Sequence, residues 1–413
     1  MKVLLPVHAR SVRSLGEGLF FLLLVLGFTA CTKDKDVVEP VQVEVAISYP
    51  ANYKAKAGAG ITVKLESTTG GESFTQTTGG DGKAVFTSVL PGTYNATATQ
   101  KLSAADAAAV TGLFSQELTL NAAKTSLNIN ATENKTIALE LAGTPAGSLL
   151  IKEVYYTGSK TPSGGTYFSD QFVEIYNNSD QVIYLDGLCI ADVHGVSGQI
   201  NPNSAPTDFK TDAAHVYLSS VWRIPGTGQQ HPLEPGKSII IAQDGINHKT
   251  DPAGNPSSPV NLANAEWETY NERPDNRDTD SPAVPNLERL YFTGGFDWLV
   301  PVFGPGLVIF RTPDFSKLEK AVIPSSPTLE PRIKLPVAQV IDTFEALQDG
   351  NSGGFKRIPV AQDAGFVFAS GTYTSESFRR KTATTLNGRR ILQDLNNSGS
   401  DFEKLATPTP RGF

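Results

Sequence analysis

Val41-Gln42-Val43-Glu44-Val45-Ala46-Ile47 carries an apolar side chain at every odd position. Successive side chains of a β-strand point to opposite faces, so this spacing turns one apolar face toward a core. The same alternation returns at Ile61, Val63 and Leu65, at Leu127 and Ile129, and at Ile137, Leu139 and Leu141. Between these stretches stand Gly70-Gly71, Gly79-Gly80-Asp81-Gly82 and Pro91-Gly92, residue types that turn the chain sharply. Residues 41–142 therefore read as an all-β domain. Residues 101–126, rich in alanine and threonine, interrupt the pattern. Within them, 103–113 predict either a short surface helix or part of a long hairpin.

Gly143-Thr144-Pro145-Ala146-Gly147 has the composition of a linker, and residues 148–413 form the second predicted domain. Leu149-Leu150-Ile151-Lys152-Glu153-Val154-Tyr155-Tyr156 predicts its first strand, and Phe172-Val173-Glu174-Ile175-Tyr176-Asn177 the next. Further strands are expected over 182–188 and 238–242, the latter after a Pro235-Gly236 turn. Segments 194–232, 245–300 and 312–355 are expected to be insertions. The chain has 413 residues, with 37 Gly and 27 Pro scattered through it, as many short strands and turns require.

The formal charge is −7, and residues 1–30 contribute +2, which leaves −9 on the remainder. An acidic surface repels phosphate backbones, so nucleic acid is excluded as an expected partner. Residues 1–30 divide into a basic stretch (Lys2, Arg10, Arg13), an apolar run over 19–28 and the small residues Thr29 and Ala30. This is the layout of a signal peptide, with an apolar run shorter than the roughly 20 residues of a permanent span. Cys31 follows directly, in the position of a lipid-bearing first residue, although Phe28 departs from the usual leucine three residues before it. Thr32-Lys33-Asp34-Lys35-Asp36 then gives a charged tether over 31–40. The chain is thus expected at the outer membrane, held by a lipid on Cys31 and facing the cell surface, with a periplasm-facing orientation as the alternative. The second cysteine, Cys189, lies in the apolar run 185–190 and is expected to be a buried thiol.

Two resemblances follow from these residues. Gly80-Asp81-Gly82-Lys83-Ala84-Val85-Phe86 with Leu90-Pro91-Gly92-Thr93-Tyr94 resembles transthyretin-like and carboxypeptidase-regulatory-like β-sandwiches. In the second domain, Glu153, the 172–177 strand, the Pro235-Gly236 turn, Ser377-Phe378-Arg379-Arg380, Asp401-Phe402 and Thr407-Pro408-Thr409-Pro410 resemble, in order, the lamin-tail domain, an immunoglobulin-like sandwich. Leu188 stands where that pattern has tryptophan, and Arg411-Gly412 follow the last proline. The pair resembles an uncharacterised Bacteroidota lipoprotein family joining the two modules. The resemblance implies a fold of two β-sandwiches, with Phe402 in the second core. The chain is expected to bind or assemble at the outer membrane, with an extracellular ligand or, as the resemblance alone implies, beside an uptake receptor. A secreted hydrolase acting on glycans or phosphoesters is the alternative.

No catalytic, cofactor or metal set is assigned. Asp192 and His194 share one strand face, but His194, His215, His231 and His248 show no metal-binding spacing. Asp275, Asp278 and Asp280 supply alternating oxygens, yet the glycine and glutamate of a calcium loop are missing, and Arg273 and Arg277 offset the charge. Glu153 and Glu174 lie on expected neighbouring strands, where bonds to backbone or to a core arginine suit them better than acid–base work. Trp222, Trp267, Tyr270, Tyr291 and Trp298, all in or near the insertions, are the expected binding residues, because aromatic faces stack on sugars and anchor interfaces.

Overall fold

A computed structural model of the chain describes residues 38–413 except 52, 71, 112–117, 131–134, 146–147, 180–181, 279, 299 and 387. The expected leader over 1–30 and the expected lipidation residue Cys31 lie outside the described residues. In the first sandwich, Val41–Ser48 pairs antiparallel with Lys83–Val89 and parallel with Lys135–Glu140. The facing sheet runs Ser73–Thr77, Thr62–Ser67, Gly92–Leu102, Leu118–Ile129, Ala142–Pro145. Val43, Val45 and Ile47 from one sheet meet Val63, Leu65 and Leu120 from the other in a single buried cluster, as the alternation requires. Gly82 holds the expected turn at φ +78°, where an added Cβ would sit 2.7 Å from the Ile47 carbonyl oxygen. Both readings of residues 103–113 hold in part. A helix, Ala104–Thr111, is capped by Ser103, whose hydroxyl accepts the Asp106 N–H and donates to its carboxylate. It rides on the long hairpin that Gly92–Leu102 and Leu118–Ile129 form.

The second sandwich has one sheet in the order Trp267–Glu268, Ser238–Ala242, Phe172–Asn177, Leu149–Tyr155, Ser377–Arg380, Phe402–Leu405. The last two strands return more than two hundred residues after Leu149 to cover that strand's second edge. The opposing sheet contains Glu319–Ala321, Arg332–Pro336, His215–Arg223, Cys189–Val193, Gly306–Phe310 and Val340–Glu345, with Glu288–Tyr291 paired to His215–Arg223. Ile151, Ile175, Ile241 and Phe402 of the first sheet share a core with Ile190, Trp222, Ile309 and Phe344 of the second.

The expectation that 194–232 and 312–355 are insertions is corrected here. His215–Arg223 is a central strand, and Arg332–Pro336 and Val340–Glu345 extend the same sheet. Val216, Leu218, Val221 and Trp222 are all buried, so this strand shows no polar face to solvent and lacks the alternation that would have revealed it.

Arg380 ties the two sheets together. Its Nε donates to the Ile151 carbonyl at 2.8 Å, and its guanidinium meets Asp342 of the opposing sheet at 2.6 Å and Asp401 at 3.4 Å. The Asp401 carboxylate also accepts the N–H groups of Leu395 and Asn397, which sets the turn before Phe402. Phe402 is 4% exposed and meets Phe344 edge-on at 4.9 Å between ring centroids.

Candidate functional site

Three carboxylates from three loops converge at the end of the strand Ser238–Ala242. Asp244 lies just beyond that strand, Asp278 in the loop after Trp267–Glu268, and Asp297 in the loop after Glu288–Tyr291. One oxygen of each lies within 4.8 Å of the others. Asp278 and Asp297 are buried and Asp244 is half-buried. Local bonds bring the loops in: the Asn271 N–H donates to Asp278 Oδ2 at 2.8 Å, and the Asn271 amide donates to the Phe296 carbonyl at 3.0 Å. The Gln243 amide nitrogen donates to Asp297 Oδ2. Gln243 Oε1 and Asp297 Oδ1 accept no hydrogen bond from the described residues, although each residue is only 3% exposed.

The electrostatics match this crowding. Burial, followed by the charges of Asp297 and Asp278, pushes the Asp244 carboxyl up to about 8. Burial, followed by Asp278, pushes Asp297 up to about 7. Glu268, 1% exposed, adds a fourth acid; burial pushes it up to about 7 although it accepts the N–H groups of Gly245 at 2.6 Å and Ser281 at 2.7 Å. His248 braces the same loop. Its Nε2 lies 3.1 Å from the Asp244 carbonyl oxygen and its Nδ1 2.8 Å from the Tyr167 hydroxyl, and burial lowers it to about 4. It therefore stands neutral at physiological pH. Such a set of oxygen donors can hold a hard cation or share protons.

Of the aspartates considered as a calcium loop, only Asp278 joins the cluster. Asp275 pairs with Arg273 at 2.7 Å at the surface, and Asp280 accepts from the Asn286 amide at 2.7 Å. The four histidines after residue 37 are held apart by different partners: His194 by Arg332, His215 by Asp212, His231 by the ring of Trp267, and His248 as above. Asp192 likewise turns from His194 to accept the Trp298 indole N–H at 2.9 Å.

Glu153 and Glu174 are both fully buried in closed bonding sets. Glu153 accepts from the Ser377 hydroxyl at 2.7 Å and from the Thr409 N–H at 2.8 Å. Glu174 takes Lys152 Nζ at 2.8 Å and the Arg411 N–H at 3.1 Å. Phe413 lies over the same ammonium at 3.8 Å. The C-terminal segment after Pro408 is thus sealed onto two buried acids of the first strands.

The aromatic expectation is corrected for the three tryptophans. Trp222, Trp267 and Trp298 are 0%, 6% and 4% exposed and belong to the sandwich core: the first two lie on strands that turn them inward, and the indole N–H of the third is held by Asp192. Tyr270 and Tyr291 remain half-exposed. Tyr291 lines a cleft of about 510 Å³ with Asn271, Arg273, Arg289, Phe292 and Glu330. Its hydroxyl donates to the Pro331 carbonyl, and Lys320 lies over its ring at 4.5 Å. Cys189 is a buried free thiol, 1% exposed, and burial pushes it up to about 12.

The fold is that of a mainly β protein built of β-sandwiches. Residues 234–409, which hold the whole acid cluster and the closing strands, match a family model described as a protein of unknown function (DUF4876). A solved DUF4876 family protein from Bacteroides thetaiotaomicron is 27% identical, with a TM-score of 0.57 over 88% of this chain and 95% of that one. That coverage exceeds what the second sandwich alone would fill, so the likeness runs through both. A candidate adhesin from Bacteroides ovatus matches 49% of this chain and 72% of its own at 10% identity and a TM-score of 0.16. A candidate cell adhesion protein from Parabacteroides distasonis matches 66% and 78% at 10% identity and 0.17, and neither likeness bears weight. No curated protein matches the chain.

Proposed function

We propose that this chain is a lipid-anchored extracytoplasmic protein that binds or assembles with a partner at the outer membrane, on the cell-surface side. The observation that carries this reading is the order of parts at the N-terminus: a three-part leader, Cys31 after two small residues, a charged segment, then a folded body whose first strand begins at Val41. The ten residues 31–40 give a tether whose contour length is at most about 34 Å. The cleft beside Tyr291, with Arg273, Arg289 and Glu330 on its walls, is the face proposed for contact with an extracellular ligand or an uptake receptor. The hydrolase alternative gains no support from Glu153 and Glu174, whose oxygens are occupied by backbone N–H groups and Lys152.

Protease shaving tests the orientation. On intact cells expressing the full chain, proteinase K should degrade the body without outer-membrane permeabilisation. Protection that ends only when the outer membrane is opened would refute surface display and leave the periplasm-facing orientation.

A further inference from the structure

We propose that Asp244, Asp278 and Asp297, with the side-chain oxygen of Gln243, form a calcium site that pins three loops of the second sandwich. The carboxylates alone would be an acidic cluster and nothing more. The second observation is the pair of buried oxygens left without a hydrogen-bond donor among the described residues, Asp297 Oδ1 and Gln243 Oε1, each on a residue 3% exposed. Both belong to side chains joined at the cluster, Asp297 as a member and Gln243 through the N–H that it gives to Asp297 Oδ2. Asp297 Oδ1 shares its carbon with the oxygen that takes the Gln243 amide, and Gln243 Oε1 shares its carbon with the nitrogen that gives it. A buried acceptor without a donor is destabilising, and a cation satisfies several at once.

The chemistry selects the ion. Every donor is oxygen, which suits calcium, magnesium or manganese and disfavours zinc or copper. His248 lies close, but both ring nitrogens are engaged by Tyr167 and the Asp244 carbonyl. Donor atoms spread up to 4.8 Å apart and drawn from three loops fit the larger, geometrically tolerant calcium ion better than the tight octahedron of magnesium. Three formal negative charges meet one divalent ion, and the neighbouring charges acting on Asp244 are themselves acidic: Asp297, Asp278 and Glu268. Asp244, the half-buried member, gives the ion its way in.

The site also bears on the cleft beside Tyr291. Asn271 and Arg273 line that cleft, and they bond to the Phe296 and Gly295 carbonyls, next to Asp297. Fixing Asp278 and Asp297 on one ion steadies the Asn271, Arg273 and Gly295 side of the cleft, so partner binding there, if the surface reading holds, becomes calcium-dependent. The ion site itself does not depend on that reading.

The test uses the soluble body beginning after Cys31, stripped with EDTA and titrated with calcium chloride, magnesium chloride or terbium chloride. Calcium at about a hundred times its dissociation constant should raise the unfolding midpoint by about 5–10 °C. Terbium should luminesce on tryptophan excitation through the adjacent Trp298, and calcium should quench that signal by displacement. Asp297→Asn and Asp244→Asn should each weaken calcium at least about tenfold, while Asp275→Asn, at the surface on Arg273, should bind as the parent does. In EDTA the two cluster variants should be at least as stable as the parent, since each removes repulsion. That keeps the test readable even if one of them expresses poorly. No midpoint shift with calcium, an equal shift in both cluster variants, or tighter binding of magnesium than calcium would overturn the proposal.

Discussion

Replacing Phe402 by alanine tests whether the chain end closes the second core. The ring is 4% exposed, meets Phe344 at 4.9 Å and carries the Arg380 guanidinium on its face at 4.6 Å. Truncating a buried phenylalanine costs about 3–5 kcal/mol through lost transfer energy and the cavity left behind. Its strand, Phe402–Leu405, is the outermost of its sheet and can settle inward, which favours the lower end, about 3 kcal/mol. For a domain of this size each kcal/mol moves the unfolding midpoint by about 2–4 °C, so a fall of roughly 6–12 °C is expected. Near-ultraviolet circular dichroism follows it directly, because Trp222, Trp267 and Trp298 sit in the same core. Phe303→Ala, at a ring 41% exposed, is the control and should change stability by less than about 0.5 kcal/mol. A Phe402→Ala protein within 1 °C or so of the parent would show that the closing strand is not part of the core, and the fold argument would fail.

Lys152→Ala leaves Glu174 buried without its ammonium partner and should destabilise by about 3–5 kcal/mol in denaturant unfolding; a loss under about 1 kcal/mol would contradict the buried pair. His194 is lowered to about 4 by burial and then by Arg332, so the unfolded chain binds its proton first as pH falls. Its contribution is complete above about 6.5 and vanishes as pH falls through about 4, worth on the order of 2 kcal/mol after allowance for partial exposure. The stability difference between parent and His194→Gln should therefore shrink from pH 7 to pH 4, and a difference that is flat across that window would refute it. Cys189 should react with a thiol reagent only after denaturation, because the thiol is 1% exposed and burial holds it protonated; rapid labelling of the native protein would reopen it as a reactive site.

The parts of the fold that could be read from the residues were those with a half-buried strand or a turn that only glycine fits. Val43, Val45 and Ile47 alternate because one face is wet, and Gly82 sits where a Cβ would strike the Ile47 carbonyl. The resemblance places Phe402 in the second core, and the structure puts it there. The strand His215–Arg223 was mistaken for insertion because it is buried in mid-sheet and its apolar residues do not alternate. The same error exposed Trp222 and Trp298 on paper, when one lies in that strand and the other bonds Asp192 beneath it. The acid cluster was illegible for another reason. Asp244, Asp278 and Asp297 come from loops more than fifty residues apart end to end, and no linear spacing encodes a meeting that Asn271 and Gln243 arrange in space.

The central claim is the lipid on Cys31, and metabolic labelling with an alkyne fatty acid measures it. The full chain should take up label and sediment with the outer membrane, while Cys31→Ser should carry no label and leave the membrane fraction, since acyl chains supply the anchoring energy at about 0.8 kcal/mol per buried methylene. An unlabelled parent chain, or a Cys31→Ser protein that stays with the membrane, would contradict the account.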